Sequence, residues 1–211
     1  MTGSLELKFL GPPEVFYAGR PVRFATRKAL ALLAYLVLEG GAHPREKLQT
    51  IFWPESETRL AQSALRNTLA RIKRGLREMD EALRVEADTV AFNSSSAYAL
   101  DLDLVTRAAA ELGATKIEPP VISMLQKAVE AVRGPFLEAV SLPDAPAFDD
   151  WITLQRSAWG QRLNLIYDRL SMHQLETHLV QPAIATVNRW LDLDRLNESA
   201  YRRLMRLCRL G

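Results

Sequence analysis

Residues 59–77, RLAQSALRNTLARIKRGLR, give this chain its character. Six cations stand there (Arg59, Arg66, Arg71, Lys73, Arg74 and Arg77) and no acid. Leu65, Leu69, Ile72 and Leu76 recur at i, i+4, i+7 and i+11, which draws one apolar face on a helix. The opposite side of the helical wheel carries Ser63, Asn67, Ala70 and Arg74, flanked by Arg59, Arg66, Arg71 and Arg77. A helix with this division packs on a core and shows small, amide and guanidinium groups outward. Those groups suit a DNA major groove: guanidinium pairs with guanine O6 and N7, an Asn amide pairs with adenine, and small side chains permit close approach. A solvated surface helix has a similar appearance, and Lys73, Arg74 and Arg77 in its last turn suit the helix dipole in any case. The neighbouring sequence therefore bears on the choice.

Working outward toward the N-terminus, Glu55 to Thr58 connects the basic helix to a short one over Pro44 to Phe52. Leu48, Ile51 and Phe52 point inward on that short helix, Pro44 occupies its first position, and Trp53-Pro54 ends it. Before it, Thr26 caps a helix running through Leu38, apolar almost all round, with Gly40-Gly41 as its stop. Two helices joined by a tight connection, the second basic outside, form a helix-turn-helix pattern. At the front, Leu5, Leu7 and Phe9 alternate as a strand, Glu14 to Tyr17 makes a second, and Arg20 to Phe24 a third, with Val22 and Phe24 on one face. Downstream, Leu83 to Glu86, a turn at Ala87-Asp88 and Thr89 to Phe92 make a β-hairpin, the position of a wing; Tyr98 to Leu100 adds a short strand. Gly75 interrupts the basic helix at a cost of about 1 kcal/mol relative to Ala, which predicts fraying of its last turn.

From residue 102 onward the pattern is helical. Leu102 to Leu112 and Val121 to Val132 are amphipathic, and Gly134-Pro135 breaks the chain. Phe148 to His178 is long for one helix, so an interruption is expected near Trp159-Gly160. Pro182 to Leu191 and Asn197 to Leu210 form a final hairpin, with Ala183, Val187, Trp190, Ala200, Tyr201 and Leu204 as its interdigitating residues. The expected fold class is mainly α with small β-sheets: a winged helix-turn-helix domain over 1–101 and an all-α helical domain over 102–211.

The totals exclude several classes. At 211 residues, 48% hydrophobic and 25% charged, the chain has ordinary globular composition. Its longest apolar run, Ala29 to Leu38, is half the ~20 residues of a membrane span. The N-terminus lacks the pattern of a secretory signal, and the single cysteine, Cys208, fits a reducing compartment, so a cytoplasmic location is expected. Net charge is only +2, with 14 basic and 12 acidic residues over 1–101 and 13 of each over 102–211, so any positive field arises from the clustering at 59–77. His43, His173 and His178 have no metal spacing, and no Walker loop or GxGxxG occurs. No enzyme, cofactor or metal site is expected.

LKFLGPPEV, GRPVRF, TRKALALLAYLVLEGG, PREKLQTIFWPE and LRNTLARIKRGL, followed by RVEADTVAF, resemble in order and spacing the OmpR/PhoB-like winged helix of the SARP family of bacterial activators. RGPFLEAVSLPDAPAFDDWITLQR and LDLDRLNESAYRRLMRL are similar to the TPR-like bacterial transcriptional activation domain (BTAD) that accompanies it. The resemblance covers nearly the whole chain. It implies sequence-specific duplex DNA binding at tandem direct repeats, recruitment of RNA polymerase, and a groove-facing role for Arg66, Asn67, Ala70, Arg71, Lys73 and Arg74. Members of this type often continue into an NTPase or further repeats.

On this basis Ser63, Arg66, Asn67 and Ala70 are expected to face base edges, with Arg66 and Asn67 specifying sequence. Arg59 flanks them; Arg71, Lys73, Arg74 and Arg77 are expected to clamp phosphates. Arg45 and Thr89 are weaker candidates for backbone contact. The helical domain is assigned to partner binding or self-association, with side-by-side protomers on direct repeats. The alternative, from another class, is a protein–protein interaction module that forms the regulatory part of a larger protein with no direct DNA role.

Overall fold

The computed structural model describes residues 4–113 and 118–209, apart from the side chains of Arg77, Glu78 and Asp80. The architecture is mainly helical with two small sheets, as expected. The chain divides into two compact units that interleave in sequence. One comprises Met1–Phe9, Pro13–Ala99 and Ala139–Leu154; the other comprises Leu10–Pro12, Leu100–Glu138 and Gln155–Gly211.

In the first unit, strands β1 (Leu5–Lys8), β2 (Glu14–Tyr17) and β3 (Arg20–Pro21) form an antiparallel meander, with Leu7 opposite Val15 and Phe16 opposite Pro21. Strand β7 (Tyr98–Leu100) adds on the other side of β1, giving the order β3-β2-β1-β7. The third strand is shorter than expected. After Val22 donates its N–H to the Val15 carbonyl at 2.8 Å, the chain leaves the sheet and Phe24 turns toward the basic helix.

Helix α1 (Arg27–Glu39) starts where the Thr26 hydroxyl accepts from the Ala29 N–H at 3.3 Å. It ends where Gly40, at φ +60°, donates to the Leu36 carbonyl. Its all-round apolar character matches its position: Ala29 and Ala31 through Leu36 are buried. Pro44, expected as the first helical residue, closes a strand instead: β4 (Ala42–Pro44) pairs with β6 (Thr89–Phe92), and β6 with β5 (Leu83–Val85). A proline at the strand end and immediately before a helix needs no N–H in either element. Helix α2 then covers Arg45–Phe52, and α3 covers Thr58–Leu76.

Helix α3 does not fray at Gly75. The missing side chain is what the packing requires, since a β-carbon there would stand 2.9 Å from Cε1 of Phe24. Leu65, Leu69, Ile72 and Leu76 are buried as the periodicity predicts, joined by Ala61 and Thr68. Burial of each large apolar side chain contributes ~1.5–3 kcal/mol and fixes the roll of the helix about its axis.

The segment Ala139–Leu154 completes this core. Phe148 is fully buried, its ring 5.2 Å from that of Phe52, and Trp151 lies tilted against Tyr35 at 5.0 Å between ring centroids while its indole N–H donates to Glu39 at 2.7 Å. The Lys28 ammonium donates to Asp144 at 2.8 Å and to the Phe52 carbonyl at 2.7 Å.

The second unit holds α4 (Asp101–Ala110), α5 (Pro119–Ala131), most of α6 (Pro146–Glu176), α7 (Val180–Leu193) and α8 (Glu198–Leu207). The interruption expected near Trp159-Gly160 does not occur: α6 runs unbroken for 31 residues. One glycine costs only about 1 kcal/mol, and the buried stripe Trp159, Leu163, Ile166, Tyr167, Leu170 holds the helix through it. In the α7–α8 hairpin, Ala183, Val187, Trp190 and Ala200 are buried, whereas Tyr201, expected to interdigitate, stands exposed. Trp190 stacks on Tyr167 and donates to Asn164 at 2.7 Å; Asn197 caps α8 by accepting from the Ala200 N–H. Burial pushes the Tyr167 hydroxyl up to about 12. The last helix ends at Leu207, short of the expected Leu210, which itself lies outside the described residues.

Candidate nucleic-acid interface

Helix α3 is rotated by its buried leucines so that Arg59, Ser63, Arg66, Asn67, Ala70, Arg71 and Arg74 are all exposed. Among the described residues, the guanidinium groups of Arg59, Arg66, Arg71 and Arg74 form no ion pair. Lys73 is half-buried and engaged within the fold. The side chain of Arg77, also expected at the phosphates, lies outside the described residues. Ser63, Asn67 and Ala70 form a strip of small and amide groups between the arginines, the surface a base-pair edge can approach closely.

Beyond the β4–β6 pairing, Arg45 ties the wing turn to α2. Arg45, first in α2, donates from Nε and Nη2 to the Glu86 carbonyl at 3.1 and 2.8 Å, and its backbone N–H donates to the Asp88 carbonyl at 2.9 Å. The geometry gives Arg45 a structural task, holding the hairpin turn against α2. The Thr89 hydroxyl is likewise occupied, donating to the Glu86 carboxylate at 3.2 Å. Glu86 and Asp88 stand exposed at the tip, where two negative charges oppose approach to phosphate.

Between α2, α3 and the wing lies an open cleft of ≈ 480 Å³, bordered by Arg45, Gln49, Gln62, Arg66 and Asp88 among others. Gln62 and Gln49 are absent from the sequence-based set. Gln62 precedes Arg66 by one helical turn and is exposed beside it, so the spacing could have identified it; Gln49, on another helix, is brought there only by the fold. A glutamine amide offers adenine the same donor–acceptor pair as asparagine.

His43, on β4, is buried against Tyr35 with ring centroids 5.4 Å apart and an unpartnered Nε2. Burial, with the nearby Lys47 charge, lowers its pKa, against smaller opposing effects of the Gly40 backbone and Glu39. It is a core residue. Among the described residues no three His, Cys, Asp or Glu side chains gather as a metal site, and no helix is long and apolar enough to cross a membrane.

No protein-family model and no curated protein matches the chain. Among solved structures it is similar to EmbR of Mycobacterium tuberculosis, solved in complex with a low-affinity phosphopeptide, at a TM-score of 0.69 and 19% identity. The match covers 97% of this chain and 54% of that one, so the present chain spans about half the length of the solved protein. At that identity the similarity is one of fold.

Proposed function

We propose that the chain is a sequence-specific duplex-DNA-binding transcriptional regulator, an activator, that lays α3 in the major groove. The observation that carries this is the exposed face of α3: Ser63, Asn67 and Ala70 between guanidinium groups that have no acidic partner among the described residues. Arg66 and Asn67 read bases, with Gln62 beside them; Arg59, Arg71 and Arg74 hold phosphates, with Lys73 and Arg77 at the same end of the helix. Arg45 and Thr89 contribute by fixing the wing, which leaves sequence reading to α3. The helical part serves partner contacts or self-association, consistent with side-by-side protomers on tandem direct repeats and contact with RNA polymerase.

The acidic wing tip, Glu86 and Asp88, favours a second reading: an interaction module for which DNA is irrelevant. Selection of bound duplexes from a random pool at about 0.15 M salt, where non-specific attraction is weak, separates the two. Enrichment of a repeated motif is expected. Its loss in the Arg66→Ala/Asn67→Ala variant, at ~1–3 kcal/mol per bidentate contact, would place base reading on α3. A wild-type protein that enriches no motif would favour the interaction module.

A further inference from the structure

A second, larger cleft of ≈ 730 Å³ opens at the other end of α3. Arg71 and Arg74 border it on the helix side, and Arg20 and Arg23 on the side of β3. No acid is among the described residues that line it, and all four arginines are exposed.

Two features of the fold bring these charges together. Ala18 and Gly19, at φ +48° and +75°, make the tight turn that feeds Arg20 into β3. Gly75 then lets Phe24, with Val22 behind it, close onto the helix backbone one residue beyond Arg74. Like charges drawn from two separate elements into one open cleft repel one another. The arrangement is stabilised when an anion enters. Arginine forks favour phosphate in particular, which accepts paired N–H donors in one plane.

We infer that Arg20 and Arg23, with Arg71 and Arg74, form a phosphodiester clamp that grips the DNA backbone beside the groove α3 reads. This rests on the function proposed above. Along a helix rising 1.5 Å per residue, Arg74 lies ~12 Å beyond Arg66. The major groove is about 12 Å wide. With Arg66 and Asn67 at base edges, Arg71 and Arg74 reach the rim of the groove, and Arg20 and Arg23 extend the contact to phosphates flanking the motif. The clamp adds affinity and footprint without sequence preference.

The test uses the full chain and the duplex enriched by selection, in two lengths: the motif with ~10 base pairs of flank on each side, and the motif trimmed of flanks. Binding is titrated over a series of KCl concentrations. For Arg20→Ala/Arg23→Ala the slope of log K against log salt should fall by about 2 on the flanked duplex, with affinity reduced roughly tenfold or more. The ranking of motif sequences should be unchanged, and the trimmed duplex should bind variant and wild type alike. Arg20→Lys/Arg23→Lys should keep the slope, since the charges remain.

Wild-type slope and affinity in the Ala variant would overturn the clamp while leaving groove reading by α3 intact. Equal losses on both duplexes would also overturn it, by showing an effect through the fold; a thermal melt would register that effect. Displacement of flanked duplex by polyglutamate, as effective as by the same charge of unrelated DNA and lost in the Ala variant, would assign the cleft to an acidic protein segment instead. A wild-type protein that enriches no duplex in the selection would overturn the clamp and the proposed function together.

Discussion

Phe24 rests on Gly75 so closely that the α3 backbone at that point has no room for a methyl group without displacement of the ring. In an exposed helix interior, Gly→Ala gains about 1 kcal/mol. Here the contact is expected to cancel that gain: Gly75→Ala should leave Tm unchanged or lower it. In a Phe24→Ala background the same substitution should recover the full ~1 kcal/mol. This double-mutant cycle isolates the contact, and a full gain with Phe24 present would show that the ring yields freely.

The Arg45 guanidinium is engaged by the protein's own backbone. Arg45→Ala removes both guanidinium bonds to the Glu86 carbonyl and should destabilise the hairpin by ~1 kcal/mol, given its partial exposure. Amide exchange in β5 and β6 should accelerate while the salt dependence of DNA binding keeps its slope. A slope reduced by about one charge would instead place Arg45 at a phosphate.

Phe148 tests where the first unit ends. It is fully buried against Phe52 and Trp151, so Phe148→Ala should cost ~3–5 kcal/mol in chemical denaturation. A fragment of residues 1–101 lacks this side chain and Trp151 altogether, and should bind a hydrophobic dye through the uncovered Tyr35 and Phe52. A 1–101 fragment that stays monomeric, dye-silent and stable would show that Ala139–Leu154 is dispensable to it.

The sign for His43 follows from its lowered folded-state pKa. In the unfolded chain the imidazole protonates near 6.5; in the fold it stays neutral to lower pH. Its contribution is complete above pH 6.5 and is lost as pH falls toward the folded value, because the unfolded state binds the extra proton. Stability measured from pH 7.5 down to 5 should decline more steeply for wild type than for His43→Phe.

What the sequence disclosed was set by period and punctuation. The 3.6-residue stripe of Leu65, Leu69, Ile72 and Leu76 oriented α3, and Thr26 and Asn197 marked helix starts because their side chains accept the backbone donors left free there. Exposure of Ser63, Arg66, Asn67 and Ala70 followed from the same stripe. Long-range relations left no local mark. Gly75 read as a weakness because Phe24 is remote in sequence; β4 pairs with a strand far downstream; Arg20 and Arg23 meet Arg71 and Arg74 only through the fold. Continuity of α6 through Gly160 was hidden because the apolar stripe that decides it is tertiary.

The interleaving of the two units sets an order of assembly during synthesis. Strands, helix-turn-helix and wing all leave the ribosome before Ala139–Leu154 exists, and the intervening α4 and α5 belong to the other unit. Translation spends on the order of seconds on that stretch. For that interval the nascent chain presents Tyr35 and Phe52 without Phe148 and Trp151 to cover them. A cell making this protein must keep those aromatic rings from other nascent chains until the closing segment arrives.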